Sequence, residues 1–227
     1  MSKPRTILEV KKDQIDENLL ALVAHVKKAL EQSVACLESR DEAACNLIIE
    51  NDSQVNDYRR LIEHECFTAI ALHQPVAHDL REIITATRLA DELERMADYA
   101  SDIAAIVMQM DEVSLSGLGM ENVKVMGSLS ARMLDEVLAA YLDKDAKKAR
   151  KAAELDDQLD AEQAKLIETL FGVMQSNPVT VPNASRMLWI SHNLERCGDR
   201  ATNIAEHVVF MLEAEAVSYT HLRAHET

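Results

Sequence analysis

A chain that repeats a long amphipathic segment has few folds open to it. Leu89–Val107 reads LADELERMADYASDIAAIV, and Ile190–Val208 answers with ISHNLERCGDRATNIAEHV at an offset of 101 residues. LERMAD pairs with LERCGD, and an Ile-Ala step recurs at Ile103-Ala104 and Ile204-Ala205. Apolar or small residues fall at Ala86, Leu89, Leu93, Met96, Ala100, Ile103 and Val107 in the first copy. The second copy gives Met187, Ile190, Leu194, Cys197, Ala201, Ile204 and Val208. Steps of three and four describe a helix with one buried seam. Beside that seam runs an acidic line: Asp91, Glu94, Asp98 and Asp102, then Glu195, Asp199, Asn203 and Glu206. Residues three or four apart stack on one helix face, so each copy carries its acids as a stripe.

The rest of the chain repeats as well. The spacing predicts a first helix over about Thr6–Ser39, its seam set by Leu19, Leu22, Val26, Ala29 and Val34. A second, capped by Asp41, runs to about Leu72, where His73-Gln74-Pro75 ends it. The third covers about Val76–Met110. Asp111–Asn122, with Ser114, Ser116, Gly117 and Gly119, reads as a linker. Helix four then spans about Glu121–Leu142. Helix five, capped by Asp145, runs to about Gln175, and helix six starts near Val181. Asp41, Asp52, Val55, Ile62 and Phe67 match Asp145, Asp156, Leu159, Leu166 and Phe171 at an offset of 104. The expected fold is therefore all-α: a tandem duplication of a three-helix bundle, six long helices related by a pseudo-twofold axis. The expected boundaries are 6–110 for the first repeat, 111–120 for the linker and 121–215 for the second repeat. Residues 216–227 read as a non-native tail. Within it Val217–Thr227 looks like translated sequencing-library adapter, so His221 and His225 are not counted as ligands.

Composition supports long helices: aromatics are 4%, with five Gly and four Pro in 227 residues. A net charge of −15 argues against a phosphate-backbone binder and suits a partner of cations or basic surfaces. Cys36, Cys45, Cys66 and Cys197 sit at apolar helix positions without a CxxC pair, as reduced thiols of a cytosolic protein do. The chain opens on no signal peptide and has no apolar run long enough to span a bilayer.

Three readings of the acidic stripes compete. They are a solvated face, or a salt-bridge network with Arg88, Arg95 and Arg196, or a metal site. Glu94 with Asp98, and Glu195 with Asp199, each project two carboxylates to one side. Asp52 and Asp156 interrupt the apolar seams of helices two and five at equivalent places, which is costly unless they are paired or bound to metal. Oxygen donors select hard or borderline ions such as Mg, Ca, Mn or Fe over a thiolate-type zinc site. His192, three residues before Glu195, is a further candidate donor or an ordinary polar position. A di-iron oxidase of the ferritin type would need Glu-x-x-His, which this chain lacks. No activated nucleophile or glycine-rich phosphate loop stands out, so no enzyme is expected.

The duplicated LER-x-x-D followed by Ile-Ala resembles the PhoU family, regulators attached to bacterial phosphate-specific transport. The resemblance covers Thr6–Glu213. It implies a pair of three-helix bundles, each with a Glu/Asp-x-x-x-Asp metal motif on its third helix. Those motifs fall on Glu94–Asp98 and Glu195–Asp199. Asp102 and Asn203 lie one turn further on, and Asp91, Asp52 and Asp156 flank them. The first motif has Ala97 where the second has Gly198, and the added methyl would tighten packing near the first site. The expected cofactor is a divalent or transition metal ion, with Fe, Mn, Mg and Zn as candidates. The resemblance further implies a cytoplasmic, usually homodimeric negative regulator without enzymatic activity. Its partners would be a sensor histidine kinase and the ATPase subunit of the phosphate transporter. The alternative is a metal-binding helical protein with a structural or storage role, or a regulator of another phosphate transporter.

Overall fold

The computed structural model describes residues 6–111 and 117–214. The expected tail, with His221 and His225, lies outside them, as do Ser114 and Ser116 of the expected linker. Every described element is helical: α1 (Ile7–Ser39), α2 (Glu42–His73), α3 (Ala77–Met108), α4 (Met120–Leu142), α5 (Ala146–Ala153), α6 (Asp156–Ser176) and α7 (Val181–Glu213), with a 3₁₀ turn at Pro178–Thr180. The helix starts carry the chemistry that satisfies orphan N–H groups. Thr6 and Glu9 form a reciprocal capping box. Asp41 accepts from the backbone N–H groups of Ala43 and Ala44, and Asp145 from those of Lys147 and Lys148.

Two expectations need correction. Helix five is not continuous. Leu155 N–H donates to Ala152 O at 3.2 Å, a three-residue bond that tightens the chain and divides α5 from α6 immediately before Asp156. The seam of α1 also shifts. Leu30, Ser33 and Leu37 carry it onward from Val26, whereas Ala29 and Val34 are only partly buried. Val34 is displaced because it faces Gly127 of α4 rather than its own bundle.

α1, α2 and α3 pack on one another, as do α4, α5, α6 and α7. The two groups meet through α3 on α7 and α1 on α4. All fourteen seam positions of the long repeat are buried. α3 and α7 run antiparallel. Arg81 Nε donates to Met211 O at 3.1 Å near one end, while Asn183 bonds the backbone of Asp111 at the other. At the midpoint Cys197 Sγ lies 4.0 Å from Met96 O. Met96 and Cys197 are equivalent residues of the repeat, so the pseudo-twofold axis passes between them.

Polar clamps tie the halves together away from that point. Glu92 of α3 accepts from Arg200 at 3.1 Å and from Asn203 at 3.3 Å, with His207 beyond. Burial, with Arg88 nearby, pushes the His207 imidazole down to about 4, so it is neutral at pH 7. Tyr141 at the end of α4 donates to Asp16 of α1 at 2.7 Å. Glu82 of α3 meets Lys12 at 2.5 Å and Lys144 at 3.2 Å. The four cysteines are free and buried.

The chain enters α4 through Gly117 and Gly119, at φ of +80° and +71°. A β-carbon at residue 119 would fall 2.1 Å from Leu166 Cδ1, whereas one at 117 would meet nothing within 4 Å. Gly117→Ala is expected to cost about 1–2 kcal/mol for the left-handed backbone alone. Gly119→Ala adds an overpacking term of about 1–3 kcal/mol, so urea denaturation should rank it clearly below Gly117→Ala.

Candidate metal-binding carboxylate sites

Asp98 stands on the exposed edge of the α3 seam, one turn after Glu94 and one before Asp102. Asp52 reaches the same groove from α2. The four carboxylates act on one another: the charge of Asp98 disfavours ionisation of Asp52, Glu94 and Asp102. In all three, burial is the larger cause, and each is raised from its ordinary value. Asp52 Oδ2 accepts from Asn56 Nδ2 at 3.0 Å, while its Oδ1 is buried with no hydrogen-bond partner. A small cavity of about 200 Å³ between α1, α2 and α3 has Asp52 in its wall, together with His25, Ala97 and Ser101.

Arginines border this groove. Arg95 Nη1 lies 3.2 Å from Asp98, and Arg95 Nε lies 3.6 Å from Glu94. Arg59 of α2 meets Asp91 at 3.2 Å and Glu63 at 3.5 Å. Asp91 is thus held by an ion pair at the rim, while Glu94 and Asp98 share Arg95 and remain electrostatically linked with Asp102 and Asp52. Sequence reasoning did not single out Arg59. Its signal was its place two turns beyond Asp52 on the same face of α2.

The second site is built from the equivalent positions with different surroundings. Glu195 Oε2 lies 3.5 Å from His192 Nδ1, and Asp199 Oδ2 lies 3.5 Å from Arg196. Asp156 is buried, and its carboxylate lies against α7 at Gly198. A β-carbon at 198 would sit 2.8 Å from Asp156 Oδ1 and 2.4 Å from Leu159 Cδ2, so the missing side chain makes room for that carboxylate. Asn203 points elsewhere, donating to Glu92 across the interface between the halves. Of the arginines expected as network partners, Arg95 and Arg196 pair with the stripes, whereas Arg88 stacks over the Phe210 ring at 5.8 Å.

Among the described residues no three His, Cys, Asp or Glu side chains converge as a ready-made metal cage. The donors do fit a cation in kind. They are oxygens, with an unsatisfied buried oxygen on Asp52 and a cradle at Gly198 that a β-carbon would fill. Glu94, Asp98 and Asp52 would hold an ion in the first half, and Glu195, Asp199 and Asp156 one in the second.

The raised carboxylates have a stability consequence. A carboxyl whose folded pKa exceeds its unfolded one binds more protons in the native state. Its contribution is greatest when protonated and is lost as pH rises from the ordinary carboxylate range through the folded value. In the metal-free protein Asp52→Asn is expected to raise stability at pH 7. It should also remove part of the decline above about pH 4, read from urea unfolding with chelator at each pH.

A PhoU domain is matched twice along the chain, over residues 19–107 and 123–208. A Streptococcus pneumoniae protein called "Phosphate-specific transport system accessory protein PhoU homolog" is 32% identical over 213 residues, covering 94% of this chain and 98% of its own. A protein of the same description from Pseudomonas aeruginosa is 32% identical over 207 residues, covering 91% and 86%. The crystal structure of PhoU from Pseudomonas aeruginosa superposes with a TM-score of 0.85 at 32% identity, over 91% of this chain and 99% of that one. The crystal structure of the phosphate transport system regulatory protein PhoU from Streptococcus pneumoniae gives a TM-score of 0.87 at 31% identity, over 93% of this chain and 99% of that one.

Proposed function

The chain belongs to the PhoU family, and from that membership we propose that it is a non-enzymatic accessory regulator of phosphate-specific transport. It restrains the phosphate-starvation response when phosphate is plentiful. It does so in the cytoplasm as a homodimer, by binding the sensor histidine kinase and the transporter's ATPase subunit. The observation that carries this reading is the pair of LER-x-x-D segments, each with a carboxylate from the preceding helix against it. The names of the relatives support the transport role. No helix of the described residues is long and apolar enough to cross a membrane, which accords with an accessory part that meets its transporter from outside the bilayer.

Divalent or transition metal ions at the two carboxylate sites are part of the proposal. A bound ion would supply positive charge between carboxylates that otherwise repel, and would stabilise the fold by mass action. The chain's own residues provide the oxygens and the arginines at the rim that limit excess negative charge. Asp98→Asn combined with Asp199→Asn keeps size and removes charge. The double variant is expected to lose most bound metal, read by elemental analysis, and most of the chelator-sensitive part of the melting temperature. Unchanged values in both would show that the stripes are solvated or salt-bridged faces.

The partner assignment has its own test. Purified protein should retain the phosphate-transporter ATPase subunit and the kinase's cytoplasmic portion in pull-downs. Retention of neither, with metal binding intact, would favour a metal-binding role of structural or storage type.

A further inference from the structure

The α1–α2 hairpin carries a pair of thiols that the carboxylate sites do not use. Cys36 stands one helical turn before Arg40, and Cys45 stands one turn after Asp41. In an antiparallel hairpin that spacing puts the two residues opposite each other at the same height. Both are buried, at 2% and 1% exposure, and both are free thiols. Cys36 lies close enough to act on its neighbour's ionisation: burial, with Cys36 beside it, pushes the Cys45 thiol up to about 12.

The second half has the same turn without the sulfurs. Arg40 and Lys144 both take the left-handed conformation, at φ of 56° and 53°, and Asp41 and Asp145 cap the helices that follow. At the offset of 104, Cys36 and Cys45 correspond to Ala140 and Ala149, which are fully buried. A methyl group therefore meets the packing at this height, and sulfur on both sides of the first hairpin is chemistry beyond what the fold requires.

We propose that Cys36 and Cys45 form a peroxide-sensitive dithiol that closes to a disulfide and staples the first hairpin. The pair lies one turn beneath the exposed Asp41 and Glu42, so fraying of the hairpin end brings water and a small oxidant to it. One sulfur, as thiolate, attacks hydrogen peroxide, becoming a sulfenic acid and releasing one oxygen as water. The other sulfur displaces the hydroxyl as a second water, and the S–S bond forms. Two thiols thus lose two electrons and two protons, and the peroxide is reduced to two waters. Because the Cys45 thiol stays protonated at pH 7, the pair reacts slowly and remains reduced until peroxide accumulates. The staple acts beside the junction of the halves. Arg40, in the turn it closes, donates to the carbonyls of Met110 at 3.2 Å and Asp111 at 3.0 Å, and Asp111 is held in turn by Asn183 and Arg186 of α7.

The test exposes the full native chain to hydrogen peroxide, blocks the remaining thiols and digests with trypsin, which cuts between the two cysteines after Arg40. The expected product is residues 29–40 joined to residues 41–59, lighter by two hydrogens than the separate peptides and parted by a reductant. Amide exchange across residues 36–45 should slow in the oxidised protein and return on reduction. Cys36→Ala and Cys45→Ala give the first hairpin the residues of the second, so both variants should fold, and both should lose the cross-link and the slowed exchange. The proposal is overturned if the native chain gives sulfinic acid at either cysteine without the cross-link, or links Cys66 or Cys197 instead. It is equally overturned if the product forms only in urea, or if the cross-link leaves the exchange unchanged.

Discussion

The antiparallel contact of α3 with α7 is the constraint on which the other features depend. Each helix is the third member of its own bundle and also half of the interface between bundles, so its apolar surface must serve two directions. Small residues make this possible. Ala100 and Ala104 in α3, and Ala201 and Ala205 in α7, are buried without demanding width. The approach is close enough that Cys197 Sγ comes 4.0 Å from the Met96 carbonyl. With two sides enclosed, only a narrow strip of either helix remains for polar residues, and the carboxylates occupy it beside α2 and α6.

That confinement explains why the acids behave differently from ordinary surface charges. An exposed carboxylate on a long helix is screened by water and contributes little either way. Glu94 and Asp52 are partly withdrawn from water and face the Asp98 charge, so burial and repulsion act in the same direction. Arg95 and Arg59 relieve Glu94 from the rim, yet its pKa is still raised. Elsewhere the same kind of group is settled by direct pairing. Glu82 has Lys12 and Lys144 beside it, and its pKa is lowered despite burial. Pairing does not decide every case: Glu92, held by Arg200 between the halves, is still raised because its burial outweighs the guanidinium.

The duplication is also less symmetric in its chemistry than in its backbone. Asp102 and Asn203 are equivalent in the repeat, but Asn203 serves the Glu92 clamp between the halves whereas Asp102 belongs to the acidic group on α3. Ala97 and Gly198 are equivalent, but at Gly198 a β-carbon would fall 2.8 Å from Oδ1 of the buried Asp156. Such divergence is what a duplicated fold permits once packing is secured by the shared seam, because side chains at the groove are under looser steric control than those at the axis.

The seam, the helix order and the two carboxylate pairs were legible because they depend on local spacing. Residues three and four apart face one way on any helix, whatever packs against it. Asp41 and Asp145 were legible as caps for the same reason, since an N-cap acts on the backbone two and three residues ahead. The division of helix five at Leu155, the transfer of the α1 seam to Leu30 and Leu37, and the ion pair between Arg59 and Asp91 were not. Neither was the turning of Asn203 toward Glu92. Each depends on which helix lies opposite and at what distance, and residues as far apart in the chain as Glu92 and Asn203 carry no mark of that meeting. By itself the sequence determined the periodic faces and their duplication. Only the tertiary packing decided which carboxylates share a groove and which find an arginine, because an electrostatic partner is chosen by distance in space.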